Sequence, residues 1–153
     1  MKGYIKKALQ RFERSPPTHI KNAPSRWTPP DYGAKQQYSE EPDLTPPLDK
    51  QDIKGLQAII GTFLFYARAV DSMMLVALGT LTASQTNGTQ ATLDAAIKLL
   101  NYAASHPDAK VRFHTSKMQL HIHSDASYLS EPKARSRSGG YYFLDGWKGQ
   151  SRP

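Results

Sequence analysis

The sequence predicts an α+β chain in which a small helical bundle is followed by a β-hairpin region. Apolar residues recur at helical spacing between residues 51 and 104, and beyond His106-Pro107-Asp108 the apolar period drops to two. Charge and proline are concentrated outside the helical stretch. These observations divide the chain into a Pro-rich, partly extended lead with a short N-terminal helix (1–50), three helices (51–106) and an incomplete set of strands (107–153). At 153 residues the chain has room for one ordinary domain or the joined ends of two.

The lead is read from its prolines. Eight of the 11 fall between Pro16 and Pro47, and each removes a backbone donor and biases the residue before it away from helix. This segment is expected to be neither a continuous helix nor a central strand. Trp27, Tyr32 and Tyr38 are interleaved in it, so it is either an extended strap with aromatics laid on a partner surface or a mobile tether.

From Gln51 onward Ile53, Leu56, Ile59, Ile60, Phe63, Leu64 and Ala67 form one helical stripe, with Asp49 or Asp52 available as the cap. Met73, Met74, Ala77, Leu78 and Leu81 follow Asp71, a second cap, with Gly79 a weak point inside the helix and the two methionines expected to fill the core. Asn87-Gly88-Thr89 marks a turn and a cap before Leu93, Ala96, Ile97, Leu100 and Ala104. Three helices with short connections predict an antiparallel bundle.

Past the His106-Pro107-Asp108 stop, Val111, Phe113 and Thr115 alternate with polar residues. Leu120, Ile122 and Ser124 alternate with His121, His123 and Asp125, and Ser116-Lys117 is expected to turn the chain between these two strands. A polar stretch, SEPKARSRS, leads to a further strand at Gly139–Leu144. Two or three strands without a following helix cannot readily bury both faces, so this unit reads as truncated.

Composition narrows the function classes. With no cysteine there are no disulfides, thiolate zinc sites or cysteine nucleophiles. The hydrophobic share is 39% and mean hydropathy is −0.59. No apolar run approaches the roughly 18 residues of a membrane span, and MKGYIKKALQRF lacks the apolar stretch of a secretory signal. The expectation is an intracellular protein, cytoplasmic or nuclear, with no membrane partner. The 20 basic and 13 acidic side chains leave a net charge of +7. Residues 1–50 hold 9 basic against 6 acidic groups, 51–105 hold 3 against 3, and 106–153 hold 8 against 4. Basic excess on both flanks suits a polyanion such as nucleic acid, because each neutralised phosphate releases counterions.

Catalytic signals are few. There is no Walker loop, GxGxxG or GxSxG elbow, and Ser124 or Ser127 beside a histidine in sequence says little about a triad. Alternation places His121, His123 and Asp125 on one strand face, where two imidazoles and a carboxylate are able to ligate a transition metal, although no further ligand is placed beside them. Asp125 also fits the first carboxylate of a two-metal nuclease, but such a site needs several converging carboxylates. Glu131 and Asp145, the nearest others, lie in the connecting turn and at the far end of the next strand.

The stretch from Ser124-Asp125-Ala126-Ser127 through Glu131-Pro132-Lys133-Ala134-Arg135-Ser136-Arg137-Ser138-Gly139-Gly140 to Tyr141-Tyr142-Phe143-Leu144 resembles the opening of the ribonuclease H domain in Pol polyproteins of copia-type retrotransposons. That family has an S-D-A-D/S start, an acidic-Pro turn with basic residues, and an S-G-G/Y strand ending in aromatic-Phe-Leu. Ile60-Gly61-Thr62-Phe63-Leu64-Phe65-Tyr66-Ala67-Arg68-Ala69-Val70-Asp71 is similar to the G-x-L-x-Y-x-x-x-x-x-x-D segment after the polymerase palm. The resemblance covers about Gln51 to Leu144, with Gly3–Phe12 and the Trp-Thr-Pro-Pro segment matching the preceding connection. It implies a thumb/connection-like bundle followed by truncated ribonuclease H-like strands. Asp125 would be the first metal-binding and catalytic carboxylate, and Lys133, Arg135 and Arg137 would lie in a turn able to meet phosphates.

The parent activity implied is RNA-directed DNA synthesis with Mg²⁺-dependent hydrolysis of RNA in a hybrid. Partners would be an RNA–DNA hybrid or DNA and the remaining Pol domains. The family's other ribonuclease H carboxylates and the polymerase Tyr-x-Asp-Asp motif are not found in this sequence. The expectation is therefore a fragment without activity of its own and without tight Mg²⁺ binding. Two alternatives stand beside it, a small basic nucleic-acid-binding protein and a metal-dependent hydrolase built on His121, His123 and Asp125.

Overall fold

The structure, a computed structural model, describes residues 1–26, 43–131 and 135–146, without the side chains of residues 129–131 and 135. The strap or tether with Trp27, Tyr32 and Tyr38, and Lys133 in the basic turn, lie outside the described residues. The described residues form four helices and a two-stranded antiparallel sheet, an α+β fold. They divide into two units, residues 1–26 with 43–111 and residues 112–146.

In the first unit, α2 (Lys50–Ala69) starts where Asp49 accepts the Gln51 and Asp52 backbone N–H groups, both at 2.8 Å. Asp49 is therefore the cap, and Asp52 sits in the first turn, where the helix dipole favours negative charge. The helix buries Leu56, Ile59, Ile60, Phe63, Tyr66 and Ala67, and leaves Leu64 half-buried at the edge of the stripe. Asp71 caps a 3₁₀ turn, Ser72–Met74, that runs into α3 (Leu75–Ser84), whose Ala77, Leu78 and Leu81 are buried.

Only half of the methionine expectation holds. Met74 is fully buried, whereas Met73 is 67% exposed. A 3₁₀ turn rotates the chain by a third of a circle per residue, so consecutive side chains cannot share one narrow core face.

Helix α4 (Gln90–Ser105) begins with a capping box in which Thr92 and Thr89 each satisfy the other's backbone N–H through a hydroxyl. Its core face is Ala96, Leu99, Leu100, Tyr102 and Ala103, while Leu93, Ile97 and Ala104 are only partly covered. The stripe is thus turned away from the expected one, because Leu99, Tyr102 and Ala103 point at the other helices. The helix stops at Ser105, before Pro107.

Helix α1 (Tyr4–Arg11) places Ile5, Ala8 and Leu9 in the same core. The Tyr4 hydroxyl donates to the Thr62 carbonyl at 2.9 Å, and its ring stacks on Tyr66 at 5.4 Å. Four helices, not three, build this unit. Two stretches of the lead are tied to it as well. The Lys21 backbone N–H donates to Ser105 Oγ at 3.0 Å, with its carbonyl 3.0 Å from His106 Nε2. Pro46 and Leu48 exchange backbone bonds with Gln90 and Gly88, both at 2.9 Å. Gly88 permits that approach, since a Cβ there would stand 3.0 Å from Leu56 and 3.1 Å from Leu48. Thr89 donates to Asp43, and this hydroxyl, with the hydroxyl and backbone N–H of Thr45, holds the Asp43 carboxyl below its usual range.

Asp71 is the one buried charged residue among those described, 7% exposed. Its carboxylate accepts from the Met73 N–H at 3.2 Å, and the Tyr102 hydroxyl lies near it. Burial, reinforced by the Asp71 charge, pushes the hydroxyls of Tyr66 and Tyr102 above their ordinary value of 10.0. The folded state therefore holds these protons more tightly than the unfolded chain. Their contribution to stability is complete below pH ~10 and is lost as pH rises through the raised values. Urea melts should give constant stability from neutral pH to about pH 9 and a fall above about pH 10. Tyr102→Phe should shallow that fall, because it removes one of the two hydroxyls that burial raises.

In the second unit β1 (Gln119–Glu131) pairs antiparallel with β2 (Arg135–Asp145). The register runs from Gln119 opposite Asp145, through Asp125 opposite Gly139, to Ser127 opposite Arg137, with an irregularity before Glu131 meets Arg135. The hairpin expected between Val111–Thr115 and Leu120–Ser124, turning at Ser116-Lys117, is not formed. Residues 109–118 carry no regular structure, and Phe113 is 92% exposed. The aromatic-rich β2 offers β1 long cross-strand pairs, Ile122 with Tyr142 and His121 with Phe143. The short 111–115 run has no comparable partners to offer. Both strands extend through most of the SEPKARSRS stretch expected to be a connection. Among the described residues no helix is long and apolar enough to cross a membrane.

Candidate functional site

Alternation along a strand sends successive side chains to opposite faces, so the register sorts the hairpin. One face carries Gln119, His121, His123, Asp125 and Ser127 from β1, and Arg137, Gly139, Tyr141, Phe143 and Asp145 from β2. The other carries Leu120, Ile122, Ser124 and Ala126 opposite Leu144, Tyr142, Gly140 and Ser138. The first face is aromatic and polar; the second is largely aliphatic, with Leu120, Ile122, Tyr142 and Leu144 exposed.

His121, His123 and Asp125 share the first face, as alternation requires, but they do not converge. Among the described residues no three His, Cys, Asp or Glu side chains are grouped to hold one metal ion. The imidazoles are engaged otherwise. His121 stacks on Phe143 at 5.2 Å with 15° between ring planes, and His123 stacks on the same ring at 5.7 Å and 7°. Tyr141 lies tilted against Phe143 at 5.3 Å.

Asp125 occupies the middle of β1, and its Oδ1 accepts from the Ala126 N–H at 2.8 Å. Glu131 is six residues further along β1, and Asp145 pairs with Gln119, six residues the other way. At about 3.4 Å per residue these two residues lie about 20 Å from Asp125 along the strands. Two Mg²⁺ ions held about 3.5–4 Å apart need carboxylates far closer together. The donors among the described residues do not fit that group, and no catalytic step is assigned to them.

Next to Asp125 the rungs are small. Gly139 stands opposite it, and a Cβ on Gly139 would meet nothing within 4 Å. On the aliphatic face the Tyr142 ring lies across Gly140, where a Cβ would come within 2.8 Å of it. The Ser127 hydroxyl bridges to the Arg137 backbone, with its oxygen 3.3 Å from the N–H and 3.4 Å from the carbonyl. The result is a depression on each face. The one on the first face is lined by His123, Asp125, Ser127, Arg137, Gly139 and Tyr141. Both are open shallow grooves, and such a surface suits an extended polymer better than an enclosed small molecule.

Of the three cations expected in the turn, Arg137 lies on the first face of β2, two residues from Gly139. Arg135 begins β2, its side chain outside the description, and Lys133 lies outside the described residues. Sequence reasoning did not join Tyr141 and Phe143 to the histidines. Counting outward from residue 133 puts these rings on the histidine face but two residues out of register, because the pairing is irregular between Ser127 and Glu131. Comparison of the chain with protein-family models, with curated proteins and with solved structures finds no match.

Proposed function

We propose that the chain is a piece of a copia-type retrotransposon Pol polyprotein, a thumb/connection-like bundle leading into ribonuclease H-like strands, that binds an RNA–DNA hybrid without cleaving it. The observation that carries this reading is the β1–β2 register. It sets Asp125 mid-strand opposite Gly139, with Ser127 and Arg137 on the next same-face rung and Arg135 at the start of β2 beyond. That arrangement agrees with the resemblance of residues 124–144. The helices spanning residues 50–105 agree with the placement of the connection-like segment. Binding is assigned to the cations of the turn, which position a phosphate backbone without reading its sequence. Cleavage is not expected, because one carboxylate cannot position two Mg²⁺ ions.

The test is a titration of the purified protein with a labelled RNA–DNA hybrid at several salt concentrations, followed by incubation of the complex with Mg²⁺. Weak, salt-sensitive binding with intact RNA is the expected result. No binding even at low salt would overturn the proposal. Mg²⁺-dependent cleavage that disappears in Asp125→Asn would show the carboxylate set to be completed, for instance by a second chain, and would end the non-catalytic reading.

A further inference from the structure

We propose that the aromatic face of the hairpin, His121, His123, Tyr141 and Phe143 with Arg137 beyond them, is a stacking platform for the unpaired bases of a single-stranded nucleic acid. This rests on the nucleic-acid reading above and adds a second kind of ligand, held by rings where the hybrid is held by the turn.

The rings are already ordered. Phe143 has an imidazole on each of two ring contacts, at 5.2 and 5.7 Å and within 15° of parallel. Tyr141 packs against the same phenyl ring and is itself 60% exposed. A planar base arriving on a surface whose rings are fixed by one another costs little further ordering. Base–aromatic stacking is tolerant of sequence, since every base has a π-face.

Beyond Tyr141 the same face offers a gap and then a cation. Gly139 contributes no side chain, and Arg137 follows at the next position on that face. Tyr141 and Arg137 are four residues apart, about 13 Å along the strand, so a base on the ring and a backbone phosphate at the guanidinium fall on one track. The carboxylate of Asp125 borders the gap. It repels phosphate and accepts from exocyclic amino groups, which orients bases, not backbone, toward the sheet. Asp145, also on this face, is at the far end.

The 8 basic against 4 acidic groups of residues 106–153 supply the long-range attraction. Among the described residues the opposite face, with Leu120, Ile122, Tyr142 and Leu144, carries no cation to offer a polyanion. A duplex keeps its bases stacked on each other and out of reach of a sheet surface; a single strand can splay them out.

The full chain would be titrated with a single-stranded oligonucleotide carrying a fluorescent purine analogue, and in parallel with an RNA–DNA hybrid. The variants are Tyr141→Ala, Tyr141→Phe, His123→Ala and, from the opposite face, Tyr142→Ala. Tyr141→Ala should weaken single-strand binding about tenfold and abolish the fluorescence quenching that marks stacking. Tyr141→Phe should retain both, His123→Ala should show a smaller loss, and Tyr142→Ala should match the wild type. Hybrid affinity should be the same in all. Unchanged single-strand binding in Tyr141→Ala and His123→Ala, or an equal loss in Tyr142→Ala, would overturn the platform. Binding of the hybrid without the single strand would remove the platform and leave the function proposed above standing; binding of neither would remove both.

Discussion

Leu100→Asp should abolish cooperative folding of the helical unit, a loss of more than about 4 kcal/mol. Leu100 is 1% exposed in a core shared by α1, α2, α3 and α4. The substitution removes a packed side chain and leaves a carboxylate with no cation among its core neighbours. Against a total stability of about 5–15 kcal/mol for a typical domain, that is enough to unfold much of the population. Leu144→Asp should cost below about 1 kcal/mol, because Leu144 is 50% exposed on a two-stranded sheet. Thermal melts followed by far-ultraviolet circular dichroism distinguish the two. Equal losses would mean that sheet and helices unfold as one cooperative unit. Leu64, half-buried at the edge of α2, should fall between them when replaced by Asp.

Replacing Lys133, Arg135 and Arg137 together by Ala should flatten the salt dependence of hybrid binding. Three phosphate contacts contribute about 2 to 3 to the magnitude of the log–log slope. Between 50 and 200 mM salt the wild type should therefore lose roughly twenty- to fortyfold more affinity than the variant. The circular dichroism of the variant should be unchanged, since Arg137 lies on an open strand face outside the core. Identical slopes for the two proteins would take the turn off the binding surface. Arg137 is shared by the turn and the stacking face, so Tyr141→Ala, which leaves every cation in place, separates the two contributions.

Local chemistry alone determined the helical elements and their caps. Asp49, Asp71 and Thr89 each stand just ahead of an apolar run, and each accepts backbone N–H groups in the structure. Such capping needs no distant partner. Alternation likewise determined that His121, His123 and Asp125 share a face, because the period of a strand is a property of its backbone. Three things depended on contacts between segments far apart in the chain. Whether α1 joined the core was decided by Tyr4 meeting Thr62 and Tyr66 of α2, nearly sixty residues away. Which face of α4 turned inward was decided by packing, so that Leu99 and Tyr102 are buried and Leu93 and Ile97 only partly covered. Which strand β1 took as its partner was decided by the cross-strand pairs available. Two short runs read alike by period, but only β2 extends far enough, with Tyr141, Tyr142 and Phe143, to pair along most of β1. The aromatic face exists only once that register is chosen, because a slip of one residue would send Phe143 and Tyr141 to the opposite side from the histidines.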